Sequence, residues 1–222
     1  MTSTLDEVYR RLLAAFGGQD WWPGESPFEV LVGAVLVQNT AWQNVAKAID
    51  RLKDADLLDP HALFALPTED LEELIRPAGY FRVKAGRLRN LLRLVVERYD
   101  GSLDAMFATD LDTLRAELLA IRGVGPETAD SILLYAGGFA TFVVDTYTHR
   151  VLARHGWIDF DADYYAIKDH FESGLERDAA LYNEYHALLV RLGKRYCRKT
   201  PQCDGCPLAD LLPDGKPREP DE

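Results

Sequence analysis

The most constraining feature of this chain is a glycine turn between two helix-like segments. Apolar residues recur at helical spacing over residues 114–121, and Pro126 stands where a first-turn proline begins a second helix. Between them, Gly123 and Gly125 flank Val124. Glycine permits a tight reversal and, because it lacks a Cβ atom, lets another backbone approach closely. The sequence therefore predicts two helices joined by a compact hairpin.

The same turn can bind an anion. The amides of Val124 and Gly125, and those at the start of the second helix, would face a phosphate group that the helix dipole also attracts. Such a site recognises charge and shape rather than base sequence. A lone glycine turn is equally an ordinary corner between two helices, so this interpretation needs support from elsewhere in the chain.

One carboxylate stands downstream of the turn. Asp145 follows the apolar run 139–144 and precedes a further helical segment. An aspartate in this place is a good helix N-cap, and capping amides favour its ionised form. An ionised carboxylate beside a reacting centre can also stabilise positive charge in a transition state or orient a water molecule. A structural and a catalytic role are both open for Asp145 at this point.

Size and charge limit the class of protein. The chain has 222 residues, of which 47% are hydrophobic and 27% charged, which is typical of a globular protein with one domain or two small ones. Its net charge of −11 argues against a purely electrostatic nucleic-acid binder, so any such contact must be local. With no apolar run long enough for a membrane span and no signal peptide, a soluble cytoplasmic protein is expected.

Periodicity is helical almost throughout, and no alternating strand pattern stands out. The chain is therefore predicted to be all-α, with a disordered tail over residues 213–222. Glycine, proline and cap residues set the limits of the predicted helices, which cover residues 4–16, 26–38, 41–54, 60–65, 68–76, 81–99, 103–107, 111–121, 126–136, 145–154, 162–174 and 178–195.

Two other stretches carry aromatic and amide side chains. Trp21 and Trp22 lie in a predicted loop, where two large rings usually cover the hydrophobic core. Gln38 and Asn39 stand between two helices, shortly before Trp42, where amides ordinarily cap helices or bond to loop backbone.

Together these stretches resemble a known family. The hairpin in GVGPETAD, the downstream VVDT, and the stretches WWP, QNTAW and RPAGYF resemble the endonuclease III family of the helix-hairpin-helix DNA glycosylase superfamily. Within that family they are most similar to the monofunctional 3-methyladenine DNA glycosylase branch. The matching stretches are spread over most of residues 19–155.

The resemblance implies a two-lobed all-α fold, with a helical barrel and a second lobe that carries a cysteine loop. Residues 26–138 would form the barrel and end in the helix-hairpin-helix, and residues 139–212 would form the second lobe with Asp145. Residues 1–25 would pack with the second lobe, and residues 213–222 would form a tail. A flipped nucleotide would enter the cleft between the lobes.

The resemblance also implies a reaction, in which Asp145 is the catalytic residue. Bifunctional members carry a Schiff-base lysine just after the hairpin, whereas this chain has Glu127 at the matching place. The expected activity is therefore hydrolysis of an N-glycosidic bond by an Asp-assisted water, without lyase chemistry. Gln38 would enter the gap left by the flipped nucleotide. The expected DNA contacts are Gly123, Val124, Gly125, Thr128, Gln38 and Asn39.

The tryptophans would form the pocket for the flipped base. Trp22 and Trp42 are its expected walls, with Trp21 in reserve. A base alkylated on a ring nitrogen carries positive charge, and an indole face attracts a cation by about 0.5–2 kcal/mol. An alkylated purine is therefore the expected substrate, although stacking would also hold a neutral damaged pyrimidine.

All three cysteines, Cys197, Cys203 and Cys206, lie close together late in the chain. In a cytoplasmic protein this spacing indicates metal or iron–sulfur ligation before disulfides. The segment YCRKTPQCDGCPLADL resembles the iron–sulfur loop of the endonuclease III family, in which four cysteines hold a 4Fe-4S cluster.

The fourth cysteine of that loop is missing, and Leu212 stands in its place. Three thiolates would still hold a cluster if an oxygen ligand or solvent completed it, and Asp210 and Asp214 are near enough in sequence to offer one. A cluster-free loop with free thiols and a zinc site are the alternatives.

The leading hypothesis is a monofunctional DNA N-glycosylase of base excision repair. Its partner would be double-stranded DNA with damaged bases, met at the nucleoid in the cytoplasm, with no obligate protein partner. Two alternatives stay open. One is an endonuclease III-like enzyme that acts on oxidised or mismatched pyrimidines with weak or lost strand cleavage. The other is a non-catalytic binder of distorted DNA.

Overall fold

The computed structural model describes residues 4–19, 21 and 24–220, and the part of the chain that it describes contains helices and no β-strand. The all-α prediction is confirmed. The α-helices, numbered in chain order, are α1 (Thr4–Phe16), α2 (Pro27–Leu36), α3 (Trp42–Asp54), α4 (Pro60–Ala65), α5 (Thr68–Leu74), α6 (Phe81–Arg93), α7 (Leu103–Phe107), α8 (Leu111–Leu119), α9 (Pro126–Ser131), α10 (Thr146–Arg154), α11 (Tyr164–Gly174) and α12 (Ala179–Arg195).

Two helices are less regular than their periodicity predicts. α6 continues as a π-helical turn at Leu94–Arg98, and α9 continues as another at Ile132–Ala136. In the second, the Gly137 N–H donates to the Ile132 carbonyl at 3.1 Å, five residues back instead of four. An apolar pattern does not distinguish these two pairings, so the sequence predicts one continuous helix in each place. Short 3-10 turns lie at Arg76–Ala78, Ala209–Leu211 and Pro213–Gly215.

The chain divides into two compact units. We call them the central unit (Trp22–Phe139), which contains α2–α9, and the terminal unit (Met1–Trp21 with Ala140–Glu222), which contains α1 and α10–α12. The sequence places the corresponding boundaries near residues 25 and 138.

The centre of the central unit is α2. Its residues from Phe28 to Leu36 are buried, as expected for a helix that is apolar on every side. Ser26 begins the helix by accepting the Glu29 N–H at 3.2 Å. The helices α3, α6 and α9 and the π-helical turn after α9 pack around it. The helix that follows the hairpin is therefore anchored in this core.

The terminal unit is built on α12, against which α1 and α10 pack. Phe142 and Phe171 stack with ring centroids 3.9 Å apart, and Tyr185 meets both rings edge-on. The Tyr185 hydroxyl donates to the Leu5 carbonyl at 3.0 Å, and burial raises the pKa of this phenol. This contact joins the first helix of the chain to the last.

The predicted disorder of the tail is wrong for residues 213–218, and residues 221 and 222 lie outside the described part of the chain. Pro213–Gly215 forms a 3-10 turn, and the Arg218 N–H donates to the Arg154 carbonyl at 2.9 Å. The Arg218 side chain also lies against Gly156. These are long-range contacts, which local composition does not reveal. None of the helices in the described part of the chain is long and apolar enough to cross a membrane.

Candidate nucleic-acid interface and active site

The hairpin between α8 and α9 closes on a hydrogen bond of 3.0 Å from the Val124 N–H to the Ile121 carbonyl. Gly123 has a φ of +101°, which favours glycine. A Cβ atom at Gly123 would lie 2.3 Å from Cγ of Arg87, so space also requires glycine there. Val124 itself is buried in the core of the central unit, and its amide is engaged within the turn.

Gly125 differs from Gly123 in its backbone conformation and in the space around it. It is exposed and is the N-cap of α9, with an extended backbone (φ −96°, ψ 178°) that any residue adopts. A Cβ atom there would meet nothing within 4 Å. The fold of the chain does not require glycine at this position, whereas an approaching phosphate would benefit from the exposed helix start. Pro126 occupies the first turn of α9, as predicted.

The two helices of the hairpin are joined by an ion pair that the sequence does not reveal. Arg115 of α8 donates to both carboxylate oxygens of Asp130 in α9, at 2.8 and 3.0 Å, and Asp130 is fully buried. A two-pronged contact of this kind fixes orientation as well as distance. The sequence shows only that both helices carry charged residues. Which of these residues pair depends on how the helices pack.

Gln38 and Thr128 lie together at the hairpin. The Gln38 Nε2 atom donates to the Thr128 Oγ1 atom at 2.9 Å and to the Gly123 carbonyl at 3.2 Å. Arg87 of α6 donates to the Gln38 Oε1 atom. The neighbouring Asn39 is exposed and has a φ of 53°. The structure therefore brings together Gln38, Thr128 and Gly123 among the predicted DNA contacts, with Arg87 beside them.

The predicted base-pocket residues lie in different units. Trp42 begins α3 and is half-buried against the core of the central unit. Trp21 belongs to the terminal unit, edge-on to His186 with ring centroids 6.5 Å apart. The ammonium group of Lys194 lies 5.6 Å from the centre of the Trp21 ring. Trp22 lies outside the described residues.

Asp145 is the N-cap of α10, as predicted, and its side chain is only 13% exposed. Its Oδ1 atom accepts the Thr148 N–H at 2.7 Å, and its Oδ2 atom lies 3.7 Å from Nε2 of His186 on α12. That distance is too long for a hydrogen bond but close enough for an ion pair when the imidazole is protonated. The sequence pattern gave no role to His186, because α10 and α12 meet only in the folded unit.

The charge state of Asp145 follows from these contacts. Burial opposes ionisation of the carboxyl, but His186 and the Thr148 amide favour it and outweigh burial. The pKa of Asp145 therefore lies below its ordinary value. The terminal unit thus holds a buried carboxylate that is ionised at neutral pH.

No lysine stands in the first turn of α9. Glu127 occupies the matching place and is exposed. Lys84 of α6 is 1% exposed, and its ammonium group donates to the carbonyls of Leu36 and Ala78 at 2.8 and 2.7 Å. Burial, together with the charge of Arg87, lowers the pKa of Lys84 to about 8. This amine links the ends of two helical segments inside the central unit.

Cys197, Cys203 and Cys206 line one pocket in the terminal unit. Other walls of the pocket are Arg154, His155 and Leu212. Nη1 of Arg154 donates to Sγ of Cys197 at 3.6 Å. Burial raises the pKa of the Cys203 and Cys206 thiols.

The lining supplies three sulfur atoms to one pocket. Leu212, which stands at the place of the missing fourth cysteine, also lines the pocket but has no donor atom in its side chain. The ring nitrogens of His155 face the carbonyls of Val151 and Leu208. Asp210 is exposed and pairs with Arg11 instead. Asp214, in the 3-10 turn at Pro213–Gly215, is also exposed. Among the described residues, no three His, Cys, Asp or Glu side chains are close enough to hold a single metal ion.

The sequence is similar to a known family of DNA repair proteins and to individual proteins from other organisms. The family model for the HhH-GPD superfamily base excision DNA repair protein matches residues 32–177. A candidate DNA repair glycosylase of Methanocaldococcus jannaschii is 50% identical over 207 residues, which are 92% of this chain and 94% of that protein. Endonuclease III of Thermotoga maritima is 32% identical over 183 residues, or 81% of this chain and 79% of that enzyme.

Two solved structures of DNA glycosylases match the chain over most of its length. A non-covalent endonuclease III–DNA complex matches with a TM-score of 0.81 at 27% identity, covering 96% of this chain and 97% of that one. The H. pylori 3-methyladenine DNA glycosylase bound to 1,N6-ethenoadenine matches with a TM-score of 0.75 at 28% identity, covering 85% and 96%.

The helical fold, the glycine hairpin and these matches define a DNA glycosylase of base excision repair, whose substrate is DNA. The chain belongs to the HhH-GPD superfamily of base excision DNA repair proteins and, within it, to the endonuclease III family.

Proposed function

We propose that this glycosylase is monofunctional and removes a damaged base by hydrolysis, leaving the strand intact. The observation that carries the proposal is Glu127, which stands at the place of the Schiff-base lysine of bifunctional members. Lys84 is a poor substitute nucleophile, because it is buried and donates to two backbone carbonyls.

In this proposal, Asp145 supplies the chemistry. As an ionised carboxylate it would stabilise the oxocarbenium-like transition state of the sugar and orient or deprotonate the attacking water. His186 and the Thr148 amide would keep it ionised and hold its orientation. The exposed start of α9 at Gly125 would bind a backbone phosphate. Flipping the target nucleotide costs a few kcal/mol, less at a damaged pair.

Borohydride trapping tests the absence of lyase chemistry. Wild-type protein is incubated with lesion-containing duplex and borohydride, beside a bifunctional endonuclease III as positive control. We expect no covalent adduct, and we expect strand breaks only after alkali treatment of the product. An efficient adduct would overturn the monofunctional proposal, and its loss in Lys84→Met would identify the amine.

For the substrate we propose an alkylated purine. The H. pylori structure shows a 3-methyladenine glycosylase with an ethenoadenine bound, at 28% identity to this chain. Trp22 and Trp42 would stack on the base, while Trp21 is the weaker candidate because Lys194 already lies over its ring. Mass spectrometry of the bases released from heavily alkylated DNA tests this directly.

A second candidate substrate is an oxidised or mismatched pyrimidine. It is favoured by the relatives named endonuclease III, such as the Thermotoga maritima enzyme at 32% identity. A panel of duplexes with one lesion each separates the two candidates. Release of alkylated purines alone supports the first, and release of pyrimidines alone supports the second.

We propose in addition that Cys197, Cys203 and Cys206 hold a 4Fe-4S cluster with a non-cysteine fourth ligand. The three thiols line one pocket beside Arg154, which fits this assignment. Such a cluster would cross-link the loop and stabilise it. Iron and sulfide content of anaerobically purified protein tests the proposal, and a colourless, iron-free preparation would contradict it.

A further inference from the structure

The side chain of Gln38 connects three parts of the central unit. Its amide nitrogen donates to the Gly123 carbonyl in the turn, at 3.2 Å, and to the Thr128 hydroxyl in α9, at 2.9 Å. Its amide oxygen accepts from the guanidinium of Arg87 in α6. Both ends of the amide are therefore in use, and each of the three partners lies on a different segment.

The partners are themselves confined. The aliphatic part of Arg87 lies against Gly123 so closely that a Cβ atom there would be 2.3 Å from Arg87 Cγ. One turn further along α6, Asn90 donates to the Arg122 carbonyl at 3.0 Å, just before the glycine turn. Thr128 is 7% exposed, so its hydroxyl is directed into the protein. Polar side chains thus hold the turn from within, whereas Gly125 is exposed.

We propose that Gln38, Arg87 and Thr128 form a hairpin brace, a set of positioning residues that holds the glycine turn in the conformation that binds a DNA phosphate. The brace rests on the proposed DNA-binding role of the hairpin. A loop fixed before binding loses less conformational entropy when the ligand arrives, so affinity rises without any new contact. The cation of Arg87 beside the turn adds to the attraction for a phosphate.

The brace gives Gln38 a different task from the one that its sequence context predicts. A glutamine that enters the gap left by a flipped nucleotide acts only where a nucleotide has left the stack. A glutamine that positions the hairpin acts on every duplex, because phosphate contacts do not depend on a lesion. Undamaged DNA therefore separates the two roles.

The test measures binding of full-length wild type, Gln38→Met and Thr128→Val to an undamaged duplex by fluorescence anisotropy at several salt concentrations. Methionine keeps the length of Gln38 and removes its hydrogen bonds, and valine removes only the hydroxyl of Thr128. We expect about tenfold weaker binding for Gln38→Met and about threefold for Thr128→Val. Gln43→Met, at an exposed glutamine of α3, is the matched control and should bind as wild type does.

A double variant tests whether the two residues act together. Gln38→Met with Thr128→Val should bind no more weakly than Gln38→Met alone, because the second change removes a partner that is already lost. Thermal unfolding of each variant shows whether it is folded at the assay temperature. If Gln38→Met fails to fold, Thr128→Val and its salt dependence carry the test alone.

Several results would overturn the brace. One is wild-type binding of both variants to undamaged duplex. If Gln38→Met then loses affinity only for a duplex with an abasic-site analogue, Gln38 fills the gap left by the flipped nucleotide instead. Strictly additive losses would also count against it. If wild type releases no base from any damaged DNA but the variants still weaken binding, the brace stands and the proposed activity falls. Wild-type protein that binds no duplex would overturn both.

Discussion

Two helix starts in this protein are built in opposite ways. At α9 the N-cap is Gly125, which has no side chain to cap the helix and is exposed. At α10 the N-cap is Asp145, which caps the helix with its own carboxylate and is largely buried. The first leaves the positive end of a helix open to an anion from outside, and the second fills that end with an anion of its own.

Under the proposed function, the two helix starts would serve two different steps, DNA binding and base removal. An open helix start can bind the phosphate backbone of any duplex. A closed one can keep a carboxylate ionised inside the protein, because the capping amide and His186 outweigh the cost of burial. The proposed function therefore assigns binding and base removal to the starts of two different helices, and we expect substitutions at each start to affect one step alone.

The largest expected effect comes from Asp145→Asn. Asparagine is also a good N-cap, so α10 should form and DNA binding should persist, while the charge proposed to stabilise the transition state is lost. The single-turnover rate of base release should fall by about 100- to 1000-fold. Asp163→Asn, at the exposed N-cap of α11, is the matched control and should keep the wild-type rate. A wild-type rate for Asp145→Asn would remove this residue from the mechanism.

The next effect is on stability, at Gly123→Ala. The positive φ and the short distance to Arg87 should make alanine destabilising by about 1–3 kcal/mol, measured by urea unfolding. Gly125→Ala should change the unfolding free energy by less than about 0.5 kcal/mol, because its backbone is extended and its surroundings are open. Equal losses at the two glycines would contradict the difference between them.

Gly125→Ala should instead weaken DNA binding. A methyl group at the open helix start would hold a phosphate away from the amides, and we expect about tenfold weaker binding to undamaged duplex. The matched control is Gly86→Ala on α6, where a Cβ atom also meets nothing within 4 Å. Wild-type affinity for Gly125→Ala would show that the open end of α9 does not contact the backbone.

The smallest effect concerns pH and His186→Gln. The folded pKa of Asp145 lies below its unfolded value, so its ionisation stabilises the fold above the unfolded pKa. That contribution is lost as pH falls through the folded pKa. Without His186 beside the carboxylate, the pKa of Asp145 should rise, so the acid limb of the pH–rate profile should move to higher pH.

The matched control for this change is His170→Gln in the same unit, which should leave the acid limb in place. Single-turnover rates across the acid range provide the measurement. An unchanged acid limb in His186→Gln would mean that the capping amide alone sets the charge of Asp145.

Much of the secondary structure was predictable from the sequence. The limits of α1, α4 and α7 agree with their predicted spans to the residue, because glycine, proline and cap residues mark helix ends through local backbone geometry. The N-cap role of Asp145 and the first-turn Pro126 belong to the same class of local signal. The resemblance of the hairpin and its flanking stretches also identified the family correctly.

Only the tertiary structure decided which side chains meet. The pairing of Arg115 with Asp130, the approach of His186 to Asp145, and the three contacts of Gln38 join segments that are distant in sequence. Periodicity records which face of a helix is apolar, but not which neighbour that face or its polar edge will touch. The sequence by itself therefore determined an open glycine turn and a capping aspartate, and packing determined what holds each of them in place.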